Sequence, residues 1–318
     1  MIKRSVILSL VCLLLAFVSD AATRKNTSLS SPRYKSVAPV SHWLGVSANG
    51  VEANMLPGGK QIQVNAGGGG GGHLLYEIYA KGFFFNIGVG VDYIITNTAI
   101  DSYTDAFYRV DRVGEPLTYR YNYSDYREQQ RQLRVIVPLQ VGYQFGDYVY
   151  VGAGVAFRTR PLLNVIETST RMYTQGEYER FIEPFRNVPS YGFWAEDTYT
   201  GSGKMLTTHS EIGIEAEVGS NIPLNVKWMR MRAGAFVGFD LPIIPQIDAE
   251  QGIRLVDYSA VDTSSLTQSQ ENLKENIRFN SMLDTSMVPD NAKRIRVGVK
   301  FTVLFDVTPK PKHCMCWK

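Results

Sequence analysis

The chain of 318 residues is 44% hydrophobic, only 20% charged, and carries a formal net charge of +3. So small a charge excess gives no electrostatic reason to expect nucleic acid or an acidic partner, and we predict neither. The 28 Gly, 18 Tyr and 15 Phe suit an all-β protein, because aromatic residues are enriched in strands.

Residues 1–21 have the layout of a cleaved secretory signal peptide. Lys3 and Arg4 form a basic start, Val6–Val18 is apolar, and small residues allow cleavage after about Ala21. A membrane anchor is the less favoured alternative, because the apolar run is shorter than the ~20 residues of a spanning helix. Residues 22–40, rich in Ser, Thr and basic residues, are expected to form a flexible periplasmic leader.

The remaining chain contains eight segments in which apolar residues alternate with polar or small ones. In Phe83–Thr96 every odd position is apolar, whereas most even positions from Asn86 onward are polar or glycine. Successive side chains of a strand point to opposite faces, so each segment predicts a strand with one apolar face. The predicted strands are Trp43–Ala53, one within Gln61–Ala80, Phe83–Thr96, Gln130–Phe145, Tyr148–Arg160, Met205–Val218, Val226–Leu241 and Lys293–Asp306.

Two local features need their own interpretation. Gly67–Gly72 contains a formal G-x-G-x-x-G pattern, but no helix signal and no Lys-Ser/Thr follow it. We therefore predict a strand with strong coiling or a close backbone approach, in place of a phosphate loop. Pro138 lies inside a predicted strand, where it cannot donate a ladder hydrogen bond, so we predict a bulge or a local ladder break.

The connections alternate between short turns and long loops, which is the pattern of an outer-membrane barrel. The long loops are expected at about residues 97–129, 161–203 and 242–291, the last with one short helix near Ser265–Phe279, capped by Ser265 with Gln268 at N3. We predict an all-β fold over residues 41–306: an antiparallel up-and-down transmembrane β-barrel of about eight strands with long extracellular loops. A soluble sandwich or lipocalin-like barrel, with its faces reversed, is the alternative. Glycines on the polar face and long loops on one side favour the membrane barrel.

Several motifs resemble the outer-membrane β-barrel families abundant in Bacteroidota, often labelled porin-like or OmpA-type. They are VIVPLQVGYQF at 135–145, YVYVGAGVAF at 148–157 and GVGVDY at 88–93. RVGVKFTV at 296–303 resembles the signal read by barrel-assembly machinery, with Gly298, Phe301 and Val303 at its key positions. The resemblance implies the outer membrane of a Gram-negative bacterium, contact with its lipid, and no cofactor. It also implies a barrel without a peptidoglycan-binding domain, although a tail follows the final strand.

The polar faces of the strands predict a lumen filled with charges of both signs. Since about eight strands enclose only enough space for side chains, and buried charges must be paired, we expect a plugged salt-bridge network. A narrow ion or solute path lined by the same charges is the alternative. The predicted lumen residues are Glu77, Asp92, Arg134, Arg158, Arg160, Glu211, Glu215, Glu217, Arg230, Arg232, Asp240, Arg294, Arg296 and Lys300.

The long loops and the tail are the candidate docking regions. Aromatic residues crowd the first two loops, from Tyr103 to Tyr126 and from Tyr173 to Tyr199, and could pack together or contact a partner. The periplasmic tail, residues 307–318, holds His313, Cys314 and Cys316, too weak a set to predict a metal site. Those are the only cysteines after the signal peptide, so we expect no disulfide framework.

The leading function is therefore non-enzymatic: a structural or accessory barrel that docks envelope or secretion proteins through its loops or tail. A narrow porin or carrier of small solutes or hydrophobic molecules is the runner-up. A barrel-embedded hydrolase is third, since His209 lies two residues from Glu211 on the predicted lumen face but no motif marks a nucleophile. We predict no catalytic residue and no metal.

Overall fold

The computed structural model describes residues 40–56, 62–110, 114–203, 210–224, 226–243, 254–257, 274, 277–284 and 293–309. The predicted signal peptide, His209, Cys314 and Cys316, and most of the expected helix lie outside these residues. No helix within the described ranges is long and apolar enough to cross a bilayer.

The structure is almost entirely antiparallel β. Its strands are β1 (Ser41–Leu56), β2 (Ile62–Ala80), β3 (Phe83–Val110), β4 (Pro116–Phe145), β5 (Val149–Arg158), β6 (Leu163–Tyr178), β7 (Phe185–Arg186), β8 (Asp197–Gly203), β9 (Glu211–Ile222), β10 (Met229–Pro242), β11 (Val256–Asp257), β12 (Arg278–Phe279) and β13 (Lys293–Asp306).

Eight of these strands close into a barrel. The ring runs β1–β2–β3–β4–β5–β9–β10–β13, and β13 pairs with β1 to complete it. The turns Lys81–Gly82 and 146–148, the end of β9 and the beginning of β10 lie where β1 begins and β13 finishes, which we call the short-turn end. The opposite, long-loop end carries the other connections.

The barrel is apolar outside and charged inside. Leu74 is 60% exposed and Phe83 65%, whereas Glu77, Arg158 and Asp240, on the opposite face of the ring of strands, are at most 1% exposed. A water-soluble protein would place these sets the other way round, and closure satisfies every strand edge within a bilayer. The protein is thus an antiparallel up-and-down transmembrane β-barrel of eight strands, as the alternation predicts.

The two local expectations are also confirmed. Gly67–Gly72 lies within β2, where a Cβ atom on Gly67 or Gly69 would come 2.1 Å from a main-chain oxygen of β3. At Pro138 the β3–β4 pairing lapses between Ile87–Leu139 and Gly90–Ile136 without a change of register. This is a ladder break rather than a bulge, and it follows from the missing N–H of proline.

The prediction of long loops at residues 97–129 and 161–203 is wrong, because most of these residues form strands. β3 and β4 continue as one hairpin far past the barrel, and β6 and β8 extend it into an outer sheet. The alternation that marks these strands slips at Asp125, a non-glycine residue at φ 50°, where the β4–β6 register shifts. Buried positions on β4 are therefore even from Tyr126 onward but odd at Tyr119 and Tyr123, and a period-2 search ends the strand too early.

The outer sheet has a hydrophobic core of its own. It is built from the loop aromatics together with segments that return from later in the chain, including β11 and β12. Residues 278–279, the end of the expected helix, are thus a strand, because Phe279 packs into this core. The buried members are Ile100, Leu117, Tyr119, Tyr121, Tyr123, Tyr126, Met172, Tyr178, Phe193, Trp194, Tyr199, Leu255, Val256, Ile277, Phe279 and Met282.

Candidate functional site: an ion-paired lumen beneath a folded outer sheet

The structure brings thirteen of the predicted lumen residues together inside the barrel. Arg160 is the exception, because β5 ends at Arg158 and the Arg160 side chain is exposed. The charges that remain are nearly balanced in sign and form four groups along the barrel axis, described here from the short-turn end upward.

The first group holds two arginines against aromatic rings. Arg232 makes a two-pronged ion pair with Glu77 and donates from Nε to Asn221 at 3.1 Å. The Arg230 guanidinium lies 4.1 Å from the ring centre of Trp43 and 4.5 Å from that of Tyr79. Cations over aromatic faces are stabilised, more so when water is excluded, so these rings help to hold Arg230 inside.

The second group is centred on Glu217. Its carboxylate accepts hydrogen bonds from Tyr150 Oη at 2.5 Å, Lys300 Nζ at 2.6 Å and Gln140 Nε2 at 2.9 Å. Lys300 also lies 3.7 Å from Glu215. Three donors on one carboxylate compensate for the loss of water that burial imposes.

The third group is centred on Asp240, whose side chain is fully buried. It accepts from Arg158 at 2.8 Å and from Arg296 Nε at 2.8 Å, and Arg296 also reaches Glu215 at 3.3 Å. Arg158 lies 3.5 Å from Asp92, which is hydrogen-bonded to His73 Nε2 at 3.1 Å.

The fourth group closes the lumen towards the outer sheet. Glu211 pairs with Arg134 at 2.9 Å and with Arg294 at 3.1 Å. Both arginines also donate to Gln132 Oε1, at 2.9 Å from Arg134 and 3.2 Å from Arg294. The four groups thus link strands on opposite walls of the barrel.

Inward-facing glycines make room for these long side chains. A Cβ on Gly213 would meet both Arg158 and Asp240 at 2.4 Å, and one on Gly234 would meet the Tyr150 hydroxyl at 2.5 Å. This explains why glycine recurs in the sequence on the charged face of the strands. A face exposed to solvent would not need glycine at these positions.

Little space is left between the charges. A cavity of about 30 Å³ lies beside His73, Arg296 and Lys300 and extends to the ladder break at Pro138. That volume holds roughly one water molecule, so this cavity is not by itself an aqueous path.

Sequence reasoning missed the uncharged partners of this network. Their position on the charged face was visible from the alternation, but nothing in their type distinguished them from other polar residues. They are Ser47, His73, Gln132, Gln140, Tyr150 and Asn221, with Trp43 and Tyr79 as the ring partners of Arg230.

A buried carboxylate helps to hold the outer sheet to its returning segment. Glu128 accepts hydrogen bonds from Ser281 Oγ at 2.5 Å, from the Met282 main-chain N–H at 2.7 Å and from Gln130 at 2.7 Å. Burial and this neighbouring carboxylate raise the pKa of Tyr126 well above its usual value of 10.0. The aromatic residues of the predicted loops pack together in the core of the outer sheet. This is one of the two interpretations made from the sequence, the other being contact with a partner.

Some aromatic and aliphatic residues remain exposed at the far end of the outer sheet, which we call the outer tip. Phe181 and Phe185 stack edge to face with each other at 5.2 Å, and Ile182 between them is fully exposed. Tyr108 and Val110, at the end of β3, are exposed nearby in the sheet. Apolar groups exposed together often mark an interaction site.

The predicted assembly signal lies in β13. Phe301 is exposed on the outer face, Val303 is partly buried, and Gly298 faces inward against Phe236. The strand has the predicted bounds, Lys293–Asp306, while recognition by assembly machinery stays a prediction.

No protein-family model and no curated protein matches the chain. Among solved structures, Ail, the attachment invasion locus protein of Yersinia pestis, is 8% identical with a TM-score of 0.27, over 83% of this chain and 99% of that one. Neisserial surface protein A is 7% identical with a TM-score of 0.27, over 84% and 99% of the two chains. A FadL homologue of Pseudomonas aeruginosa is 8% identical with a TM-score of 0.18, over 84% and 90%. The likeness is to the barrel architecture alone.

Proposed function

We propose that the protein is a non-enzymatic barrel of a Gram-negative outer membrane, of the Bacteroidota type, with a sealed lumen and an outer sheet that docks a partner. The ion-paired interior carries this proposal. Carboxylates and cations meet across the barrel at 2.6–3.5 Å, and eight strands leave space for side chains only.

The sealed lumen argues against the porin and carrier alternatives. A solute path would require the groups around Asp240 and Glu211 to separate, and each separation would leave a buried charge without its partner, at a cost of several kcal/mol. A hydrophobic cargo would meet arginines and carboxylates instead of an apolar tunnel.

The outer sheet supports the docking role. It is a folded extension with its own core, so its tip is presented at a fixed position, and a preorganised surface binds with less loss of conformational entropy. An envelope or secretion protein at the outer tip is the partner we propose, with the periplasmic tail as a second docking region and lipid and barrel-assembly machinery as further contacts.

One observation favours a hydrolase as a second candidate. Ser47 Oγ lies 3.1 Å from His73 Nδ1, and His73 Nε2 lies 3.1 Å from Asp92. The two ring nitrogens are exchanged relative to the catalytic triad, but the residue types are those of a serine hydrolase. All three side chains are nevertheless buried beside the ion pairs of Arg158, so substrate has no route to the serine through the described lumen. We assign them a structural role.

Planar-bilayer recordings test the sealed lumen. We expect no steady conductance steps from the purified, folded protein. The variant Asp240→Ala, in which the plug is weakened, serves as the positive control. Steady steps from the wild-type protein would contradict the proposal. Labelling of Ser47 by a fluorophosphonate probe, lost in Ser47→Ala, would support the hydrolase instead.

Co-purification from native membranes tests the docking role. Ile182→Asp at the outer tip should lose a partner that the wild-type protein retains, and Thr104→Asp, exposed on the side of the same sheet, should retain it. Identical partners for all three proteins would contradict docking at the tip.

A further inference from the structure

A row of polar side chains crosses five strands on the outer face of the sheet. Cross-strand pairing places them side by side, since each is the register partner of the next. The members of this polar row are Asn65 on β2, Asn97 on β3, Gln129 on β4, Glu167 on β6 and Ser202 on β8.

The row lies directly above the apolar outer face of the barrel. In the row directly below it, Arg131 is paired with Ile95 on one side and with Val165 on the other. The next row down is largely apolar and consists of the register partners Tyr93, Leu133 and Leu163. Same-face neighbours along a strand are about 6.6 Å apart. The change from apolar to polar therefore takes place over about one row, which marks the level where acyl chains give way to headgroups.

A second polar row lies immediately above the first. Arg127 on β4 is paired with Ser169 on β6, which is paired with Thr200 on β8. Between the two rows is an open cleft of about 730 Å³, whose lining includes Asn97 and Gln129. That volume is large enough for one or two sugar rings with a phosphate.

The side chains of the cleft are held ready for hydrogen bonding. Gln129 Nε2 donates to Asn97 Oδ1 at 3.1 Å, and Arg131 donates to Gln129 Oε1 and to Glu167, the last at 2.9 Å. Arg127 is exposed, and none of the ion pairs within the described ranges includes it. The cleft thus combines oriented amides and hydroxyls with one cation that is available to an anion.

We propose that this cleft binds the phosphorylated saccharide headgroup of a membrane glycolipid. Sugar hydroxyls both donate and accept hydrogen bonds, as amide and hydroxyl side chains do, and a guanidinium suits a phosphate because it offers paired donors. The acyl chains would continue down the apolar face below Ile95 and Val165. The inference rests on the proposed orientation, with the long-loop end facing outward.

The test compares variants of the full-length protein in vesicles. The wild-type protein, the double variant Arg127→Ala/Gln129→Ala and the control Lys293→Ala are inserted into phosphatidylcholine vesicles with or without a short-chain lipopolysaccharide. Lys293 is exposed at the long-loop end of β13, on the opposite wall of the barrel. Native mass spectrometry after detergent extraction reports the retained glycolipid.

We expect the wild-type protein and Lys293→Ala to retain the glycolipid and the double variant to lose it by about tenfold or more, since it removes a charge-assisted contact and an amide. Equal retention by all three proteins would overturn the proposal. So would equal retention of phosphatidylglycerol by the wild-type protein, or binding of the deacylated saccharide as tight as that of the intact lipid.

Two readouts keep the outcomes separate. Altered gel mobility on heating verifies that each variant has folded. The partner and conductance experiments do not involve the polar row, so the glycolipid site and the docking role can fail independently.

Discussion

Replacing Asp240 by Asn tests whether ion pairs stabilise the barrel from inside. Asp240 is fully buried and accepts from Arg158 and Arg296 at 2.8 Å each. The substitution keeps the shape but removes the charge, so two buried guanidinium groups lose their shared anion. Breaking a buried pair costs about 3–5 kcal/mol. Because Arg296 keeps Glu215 at 3.3 Å and Arg158 keeps Asp92 at 3.5 Å, we expect the lower end, about 3 kcal/mol.

The assay is urea unfolding in lipid vesicles, followed by tryptophan fluorescence and by the gel mobility of unheated samples. Asp125→Asn is the matched control, because Asp125 pairs with Arg171 on the outer sheet with both side chains about half exposed. An exposed pair contributes about 0–1 kcal/mol. A loss below 1 kcal/mol for Asp240→Asn, or equal losses for the two variants, would refute the assignment of the lumen network as a stabilising plug.

Three further predictions follow from described contacts. Gly213→Ala should destabilise the barrel by about 1–3 kcal/mol, as overpacking does, because the added Cβ would lie 2.4 Å from two buried charged groups. Gly50→Ala should not destabilise it, because no atom lies within 4 Å of a Cβ at that position. Urea unfolding of the two variants tests the difference. Glu128→Gln should expose the segment at Ser281 to protease while the unfolding midpoint of the barrel stays unchanged, because Glu128 accepts that segment's hydrogen bonds; unchanged cleavage would contradict this role. Since the pKa of Tyr126 is raised in the folded state, stability that is present below pH 10 should fall as the pH rises towards the folded pKa; in Tyr126→Phe the fall should be smaller, as measured by unfolding at pH 9 and pH 11.

The sequence was sufficient for the barrel but not for the sheet above it. Alternation along Phe83–Thr96 and Lys293–Asp306 predicts which side chains face lipid and which face the lumen, since each strand keeps one phase across the membrane. At Asp125 the alternation of buried and exposed positions changes phase, and on the N-terminal side of Asp125 tyrosines occupy the buried positions of β4. Because a run of tyrosines interleaved with polar residues also resembles a loop, the pattern alone could not reveal a second core.

The individual ion pairs likewise could not be predicted from the sequence. Charged residues could be assigned to the lumen by their position, but Glu77 and Arg232 are 155 positions apart. Their pairing depends on the ring order and on the register of several ladders, and neither of these follows from local alternation. Arg160 shows the limit at a strand end, where the alternation continues in the sequence after the strand has finished.

The length of β4 has a mechanical consequence. This single strand has 30 residues, and at about 3.3 Å per residue it runs roughly 100 Å, from the short-turn end to the outer sheet. It is bonded to β3 over most of that distance. A load applied along β4 at the outer sheet would therefore act lengthwise on many hydrogen bonds at once, in shear.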